Sequence, residues 1–332
     1  MIIKSVKLVN FRNHENYILN CKKKTSLIIG ENGSGKTSIL EAIYETMRGK
    51  SFRAVDREIL KRKTEFYRVE LEYTSGEKII TVYDGKKKTF LTDDKKSARL
   101  AKNKKYPVVL FLPSDLHLID TSPTKKRDYF DRILADFDDS YNNSLLRYNK
   151  ALRQRNELLK KDFFQLDDFF SWNIMLAKYG LEVRKKRKEF IDKINLNLTK
   201  TYRSIADNKD EIKLDYEFYG GELNESEYLD KLEKNIERDK ILGHTGFGVH
   251  RDNYEFYFNK VVASGSASRG EVRSILLAMK FIEADLIEEN TGLKPVVLLD
   301  DVFSELDEKR QKCLVKNFKN NQVIITSVEV VG

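Results

Sequence analysis

The segment Gly30-Glu31-Asn32-Gly33-Ser34-Gly35-Lys36-Thr37 restricts this chain's fold more than any other. It satisfies G-x-x-x-x-G-K-[ST] in full. The short apolar run Ser26-Leu27-Ile28-Ile29 precedes it, and Ile39, Leu40, Ile43 and Met47 follow on one face at helical spacing. Strand, glycine loop and helix thus stand in the order a phosphate-binding loop needs. Gly30, Gly33 and Gly35 let backbone N–H groups converge on phosphate oxygens, and the helix N-terminus adds roughly half a positive charge. Lys36 is expected to reach the β and γ phosphates of ATP, and the Thr37 hydroxyl to ligate Mg²⁺. Glu31, Asn32, Ser34 and Ser38 complete the predicted nucleotide loop. A plain glycine turn would explain the glycines but not Lys36-Thr37 at this offset.

Such a loop needs an acidic partner for its metal. Val296-Val297-Leu298-Leu299 reads as a strand buried on both faces, and it ends in Asp300-Asp301. Open α/β sheets bind ligands at the carboxyl ends of their strands, so Asp300 is the predicted Mg²⁺ ligand and Asp301 the residue that polarises an attacking water. The alternative is a carboxylate pair capping the next helix. Ser268-Arg269-Gly270-Glu271 admits two readings as well. It is an S-x-x-E capping box, or Ser268 and the Gly270 N–H clamp the γ-phosphate of a nucleotide held by another subunit. Gly270 is unhelpful early in a helix, which the capping box leaves unexplained.

Around these motifs, Ile2 to Asn10 reads as a strand, and Phe66 to Phe90 as a β-meander with one wet face, because Val69, Leu71 and Tyr73 alternate with charged residues. From 112 to 240 long helical segments dominate, such as Tyr141 to Lys161 and Phe169 to Leu198. An amphipathic helix with Val272, Ile275, Leu276, Met279, Ile282 and Leu286 on one side follows, and Val323 to Thr326 is the last strand. The expected organisation is an α/β lobe made of 1–111 and 241–332, with a mainly helical lobe, 112–240, inserted.

Charge separates the segments further. Residues 1–110 hold 25 Lys and Arg against 13 Asp and Glu, whereas 111–240 hold 25 against 26 and 241–332 hold 11 against 13. The whole excess of the net +9 lies in the first third, in clusters such as Lys22 to Lys24, Lys61 to Lys63, Lys86 to Lys88 and Lys102 to Lys105. A polyanionic partner is the expected consequence, since neutralising phosphates releases condensed counterions. Arg184 to Lys188 in the helical segment has acidic flanks and reads as a solvated helix face. Two distant cysteines and four scattered histidines argue against zinc or disulfide chemistry. No apolar run reaches 18 residues, which predicts a soluble, cytoplasmic protein without a membrane span or signal peptide.

Asn10-Phe11-Arg12-Asn13, the phosphate loop, Ser51-Phe52-Arg53, Ser268-Arg269-Gly270-Glu271, Asp300-Asp301 and Ser304-Glu305-Leu306-Asp307 occur in the order of an ABC-type ATPase head. The chain resembles the heads of the SMC and Rad50 group. Several stretches narrow this to a likeness with the RecF family of bacterial DNA repair proteins: Leu40 to Tyr44, Phe111 to Leu116, Gln154-Arg155-Asn156, Val249-His250-Arg251-Asp252 and Leu299 to Asp307. The resemblance implies an α/β P-loop NTPase of the ABC-ATPase head type, with mixed β-sheets, helices and an inserted helical lobe. It further implies an ATP-dependent homodimer, with Ser268 and Gly270 clamping ATP across the interface, Arg12 and Arg53 near nucleotide, and Arg53 coupling DNA to hydrolysis. The implied activity is weak, DNA-stimulated ATP hydrolysis. The implied role is binding of double-stranded DNA at single-strand gaps and help in recombinase loading, with mediator proteins of the RecR and RecO type as partners.

Two departures stand out. Asp301 occupies the place where ABC heads usually carry Glu, one methylene longer, so slow hydrolysis is expected. Thr326-Ser327 stand where a switch histidine is expected after the last strand. The insertion is also too short for a long coiled coil. Two rivals remain: a P-loop small-molecule kinase, which has no use for Ser268-Arg269-Gly270-Glu271, and a phage-defence or nuclease-associated ATPase with the same head, which predicts an acidic nuclease cluster or a partner subunit.

Overall fold

A computed structural model describes residues 2–21, 23–161, 165 and 167–328. The chain divides into two compact units, Met1–Asp115 with Glu283–Gly332, and Leu116–Ile282.

In the first unit the chain begins with β1 (Ile3–Phe11), β2 (His14–Asn20) and β3 (Thr25–Ile29), then α1 (Lys36–Arg48) and the single turn α2 (Asp56–Ile59). Strands β4 (Tyr67–Tyr73), β5 (Lys78–Tyr83), β6 (Lys88–Thr92), β7 (Lys95–Ser97) and β8 (Val108–Phe111) follow. The meander read from the alternation is present: β2-β1-β4-β5-β6-β7 form a six-stranded antiparallel sheet. In β4, Tyr67, Val69, Leu71 and Tyr73 all point inward and are buried, while Arg68, Glu70 and Glu72 face outward, as the two-residue period of a strand dictates.

Helix α1 lies in the same apolar core. Ile39, Leu40, Ile43 and Met47 pack with the inner faces of β1 and β4 and with Leu110, Leu298 and Ile324. The helix stops at Gly49, whose φ of +80° suits glycine and whose N–H caps the Glu45 carbonyl.

The second unit holds α3 (Pro123–Phe137), α4 (Asp139–Leu159), α5 (Asp167–Ala206), β9 (Ile212–Glu217), α6 (Glu225–Lys234), α7 (Ile236–Leu242), β10 (Asn253–Phe258) and β11 (Val261–Val262). It extends to Ile282 rather than ending at residue 240, and it includes β10, which pairs antiparallel with β9 across a long sequence gap. Tyr254 then packs its ring 4.2 Å from that of Phe130 on α3. The lobe is therefore helical with a small sheet, β11-β10-β9.

Arginines hold this unit together. The buried Arg155 donates to Asn173 Oδ1 (2.9 Å), Asp239 Oδ2 (2.6 Å), Thr245 Oγ1 (2.8 Å) and the Leu232 carbonyl (3.0 Å). Arg184 makes a two-pronged pair with Asp252 (3.0 and 2.7 Å), and Arg187 pairs with Asp131 (2.8 Å). The run Arg184 to Lys188 is thus not simply a solvated face. Arg184 and Arg187, three residues apart, share the buried side of α5, and Lys185, Lys186 and Lys188 alone face outward.

Helix α8 (Arg269–Thr291) is buried around its whole circumference from Ser274 to Ala284, not along a single stripe. Leu286, predicted on that stripe, is only half-buried. The chain closes, back in the first unit, with β12 (Val296–Asp300), α9 (Glu308–Asn317) and β13 (Val323–Ser327). These two strands join a four-stranded parallel sheet in the order β3-β13-β12-β8. Both predicted strands, Val296 to Leu299 and Val323 to Thr326, are buried throughout.

Candidate nucleotide-binding site

The parallel sheet fixes where the site forms. The loop 30–35 leaves the carboxyl end of β3, Asp300 ends β12, and β13 runs between them. The Gly30 N–H donates to the Ser327 carbonyl (3.2 Å), which fastens the loop's entry to the end of β13. Gly35 has φ of +97°, and a Cβ there would stand 2.5 Å from Asn13 Oδ1 and His14 Nε2, so only glycine lets the β1–β2 hairpin lie against the loop. Helix α1 starts with no side-chain cap and no acidic residue in its first turn, which leaves its first N–H groups for an anion.

Lys36 is buried, and its Nζ donates to the carbonyls of Gly30 (2.8 Å) and Glu31 (3.1 Å) while lying 3.8 Å from Asp301 Oδ2. The Thr37 hydroxyl donates to Asp300 Oδ1 at 2.9 Å. Burial raises the Asp300 carboxyl, hydrogen bonds from Thr37 and Thr326 pull it down, and Asp301 beside it pushes it up, with a net upward shift. Asp301 Oδ1 is buried without a partner. A hydroxyl and two clustered carboxylates, all oxygen donors, fit a hard divalent cation such as Mg²⁺. Among the described residues no three or more His, Cys, Asp or Glu gather as a metal cage.

Arg12, Arg53, Asn13, Asn32, Gly33, Lys36, Thr37, Ser38 and Asp301 are among the residues lining one open cavity of about 710 Å³, built from the first unit. The two predicted arginines meet on a residue that motif reading did not single out. Glu41, fully buried one turn into α1, accepts from Arg12 Nε and Nη2 (2.9 and 2.8 Å), from Arg53 Nε and Nη2 (3.0 and 2.8 Å), and from the Ser51 hydroxyl (2.7 Å). Burial alone would raise the Glu41 carboxyl, yet the arginines and Ser51 hold it below the usual carboxylate range. Arg53 Nη2 also reaches Ser38 Oγ (3.3 Å). The signal for Glu41 was present: an acidic side chain inside Ile39-Leu40-Glu41-Ala42-Ile43 must find partners.

Other predicted residues fall differently. Gly30 and Glu31 contribute carbonyls that hold Lys36, and the Ser34 N–H turns back on the Glu31 carbonyl at 3.2 Å. Ser268 and Gly270 belong to the second unit. There Ser268 is exposed and its capping box is formed: Ser268 N–H to Glu271 Oε2 at 2.6 Å, Glu271 N–H to Ser268 Oγ at 3.3 Å.

The basic clusters are partly neutralised. Lys61 pairs with Glu15 (3.2 Å) and lines the nucleotide cavity with Arg62. Lys88 bonds Glu45 and Asp56 (3.0 and 2.6 Å), and Lys104 bonds Glu77 and Asp93 (2.7 and 2.8 Å). Lys86 and Lys87 remain exposed, and Lys22 lies outside the described residues.

Comparison with known proteins agrees with this geometry. The AAA ATPase domain family matches residues 1–243. The DNA replication and repair protein RecF of Lachnoclostridium phytofermentans is 35% identical, over 98% of this chain and 92% of its own length. The recombination mediator protein RecF-ATP of the RecFOR pathway, a solved structure, is 29% identical with a TM-score of 0.87, covering 99% of this chain and 92% of that one. An SMC head domain of Pyrococcus furiosus shares the fold at 15% identity and a TM-score of 0.53, over 99% of this chain and 90% of that one. Phosphate loop, acid pair and paired arginines thus sit on the ABC-type ATPase head these comparisons point to, and the chain belongs to the RecF family.

Proposed function

We propose that this chain is an ATP-dependent DNA-binding protein of recombinational repair that dimerises about two ATP molecules, binds double-stranded DNA at single-strand gaps and helps a recombinase load. One observation carries the reading: the Thr37 hydroxyl on Asp300 at 2.9 Å, with Lys36 and Asp301 3.8 Å apart beside it. That is the geometry of a nucleotide loop joined to its acid pair. Thr37 and Asp300 would hold Mg²⁺, which when bound screens charge on the transferring phosphoryl group. Lys36 binds the β and γ phosphates, and Arg12 and Arg53 contribute positive charge at the cavity wall.

In hydrolysis a water oxygen attacks the γ-phosphorus, the bond to the β-phosphate oxygen breaks, ADP leaves, and Asp301 receives the water's proton. The shorter reach of Asp makes this slow. Ser268 and the Gly270 N–H serve the nucleotide of a second copy, which is consistent with the exposure of Ser268. The RecFOR-pathway relative supports RecO- and RecR-type proteins as partners. Among the described residues no helix is long and apolar enough to cross a membrane, and DNA repair implies a cytoplasmic site of action. Among the same residues no acidic metal cluster speaks for the phage-defence alternative.

The test combines two variants. Lys36→Met abolishes tight ATP binding, whereas Asp301→Asn keeps it and slows turnover by about a hundredfold. Unchanged turnover in Asp301→Asn removes Asp301 as the base, and ATP binding retained in Lys36→Met removes the cavity as the nucleotide site.

A further inference from the structure

Thr326 is fully buried near the end of β13, in register with Asp300 on one side and Ile28 on the other. Its hydroxyl Oγ1 accepts the Asp301 N–H at 2.9 Å, and its proton lies within reach of two acceptors, Asp300 Oδ1 at 3.0 Å and, less closely, the Leu299 carbonyl at 3.4 Å. The next residue, Ser327, accepts the Gly30 N–H at the loop's entry (3.2 Å). Two adjacent residues of one strand therefore bind the acid pair and the phosphate loop to each other.

Asp301 gains from such a support. Its φ of +50° is left-handed, a conformation that costs a non-glycine residue free energy, though less for aspartate than for most, and a fixed partner for its N–H helps to hold it. An extended Asp301 would carry the chain straight on from β12. The left-handed turn accompanies a carboxylate 3.8 Å from Lys36 Nζ, at the cavity wall. The Thr326 hydroxyl is the acceptor of the N–H at that turn.

We propose that Thr326 is a positioning residue for hydrolysis: its hydroxyl locks the Asp301 turn and at the same time aims Asp300 at Thr37. This rests on Asp301 acting as the base, as proposed above.

Thr326→Val keeps the shape and removes the hydroxyl's hydrogen bonds, and Thr326→Ser keeps them. ATP affinity is expected within about twofold of the parent in both, with kcat reduced by about tenfold or more in Thr326→Val and restored to within about threefold in Thr326→Ser. In the nucleotide-free protein, the Asp301 amide exchanges its hydrogen about tenfold faster or more in Thr326→Val and at the parent rate in Thr326→Ser. Should Thr326→Val fail to fold, Thr326→Ala carries the same comparison.

An unchanged kcat in Thr326→Val beside a slow Asp301→Asn overturns the inference while leaving Asp301 as base. Normal turnover in Asp301→Asn overturns the base instead, and the exchange rate then still decides whether Thr326 holds the turn. A loss of kcat that Thr326→Ser does not recover, or an Asp301 amide equally protected in Thr326→Val, also overturns it.

Discussion

Glu41→Gln is a demanding perturbation, because one buried carboxylate serves five hydrogen bonds from Arg12, Arg53 and Ser51. Gln keeps the volume but removes the charge, and it turns an NH₂ toward a guanidinium. Breaking a fully buried pair this way costs about 3–5 kcal/mol. Here the arginine side chains keep 23% and 37% of their exposure, so water replaces part of what the carboxylate supplies. We expect about 2 kcal/mol, near the low end for hydrogen bonds to charged groups. By thermal melting at pH 7 that is a fall of roughly 4–8 °C.

The same variant leaves Arg12 only the Glu58 carbonyl (2.9 Å) and Arg53 only Ser38 Oγ (3.3 Å) as hydrogen-bond partners at the cavity wall, so ATP affinity, read by calorimetry, falls about tenfold, or about 1.4 kcal/mol. The folded-state carboxyl lies below its unfolded value, so the stability it contributes is present above about pH 4.3 and is lost as pH falls through the folded value. The Tm difference between parent and variant should then shrink below about pH 4. A variant with parental Tm and parental ATP affinity would show that Glu41 orients neither arginine.

Three further outcomes are expected. Ser268→Arg spares ATP binding to the monomer and abolishes the ATP-dependent dimer in sedimentation; a dimer that persists returns Ser268 to a plain helix cap. His250 is held to about 4 by burial, with Tyr148 OH on Nδ1 (2.7 Å) and the Thr245 carbonyl on Nε2 (2.9 Å), so the folded protein binds its proton less readily than the unfolded chain. Its stabilisation is complete above about pH 6.5 and is lost as pH falls toward 4, about 2.5 kcal/mol by pH 4.5. Denaturant unfolding of His250→Gln between pH 7.5 and 4.5 should be flatter by that amount, and equal slopes refute it. Reversing Lys86 and Lys87 weakens duplex binding and reduces the salt slope by about 0.9 for each phosphate no longer neutralised, while reversing Lys185 and Lys188 has a smaller effect; the opposite ranking moves the DNA surface to α5.

What could be read ahead of the structure was local. The period of β4, the apolar face of α1 and the buried runs of β12 and β13 follow from a few neighbouring residues, and so does the phosphate loop. What could not be read depends on partners far along the chain. Nothing near Asn253 announces that β10 pairs with β9, which places β10 in the second unit, beyond residue 240. Arg184 and Arg187 look like surface charge until Asp252 and Asp131 are placed beside them. Lys61, Lys88 and Lys104 look like DNA contacts until Glu15, Glu45, Asp56, Glu77 and Asp93 are. In sequence Thr326 stands out only as the place of a missing histidine, because a hydroxyl's hydrogen bonds leave no pattern there.

In the proposed dimer ATP joins two heads, each supplying its Ser268 to the other's phosphate loop. Light scattering of the purified protein, with and without ATP and with and without duplex DNA, tests it most directly. The expected result is a monomer that becomes a dimer only with ATP, more completely with duplex, and whose turnover rises on adding DNA. A mass that stays monomeric at saturating ATP and duplex, with the nucleotide shown to be bound, would contradict it.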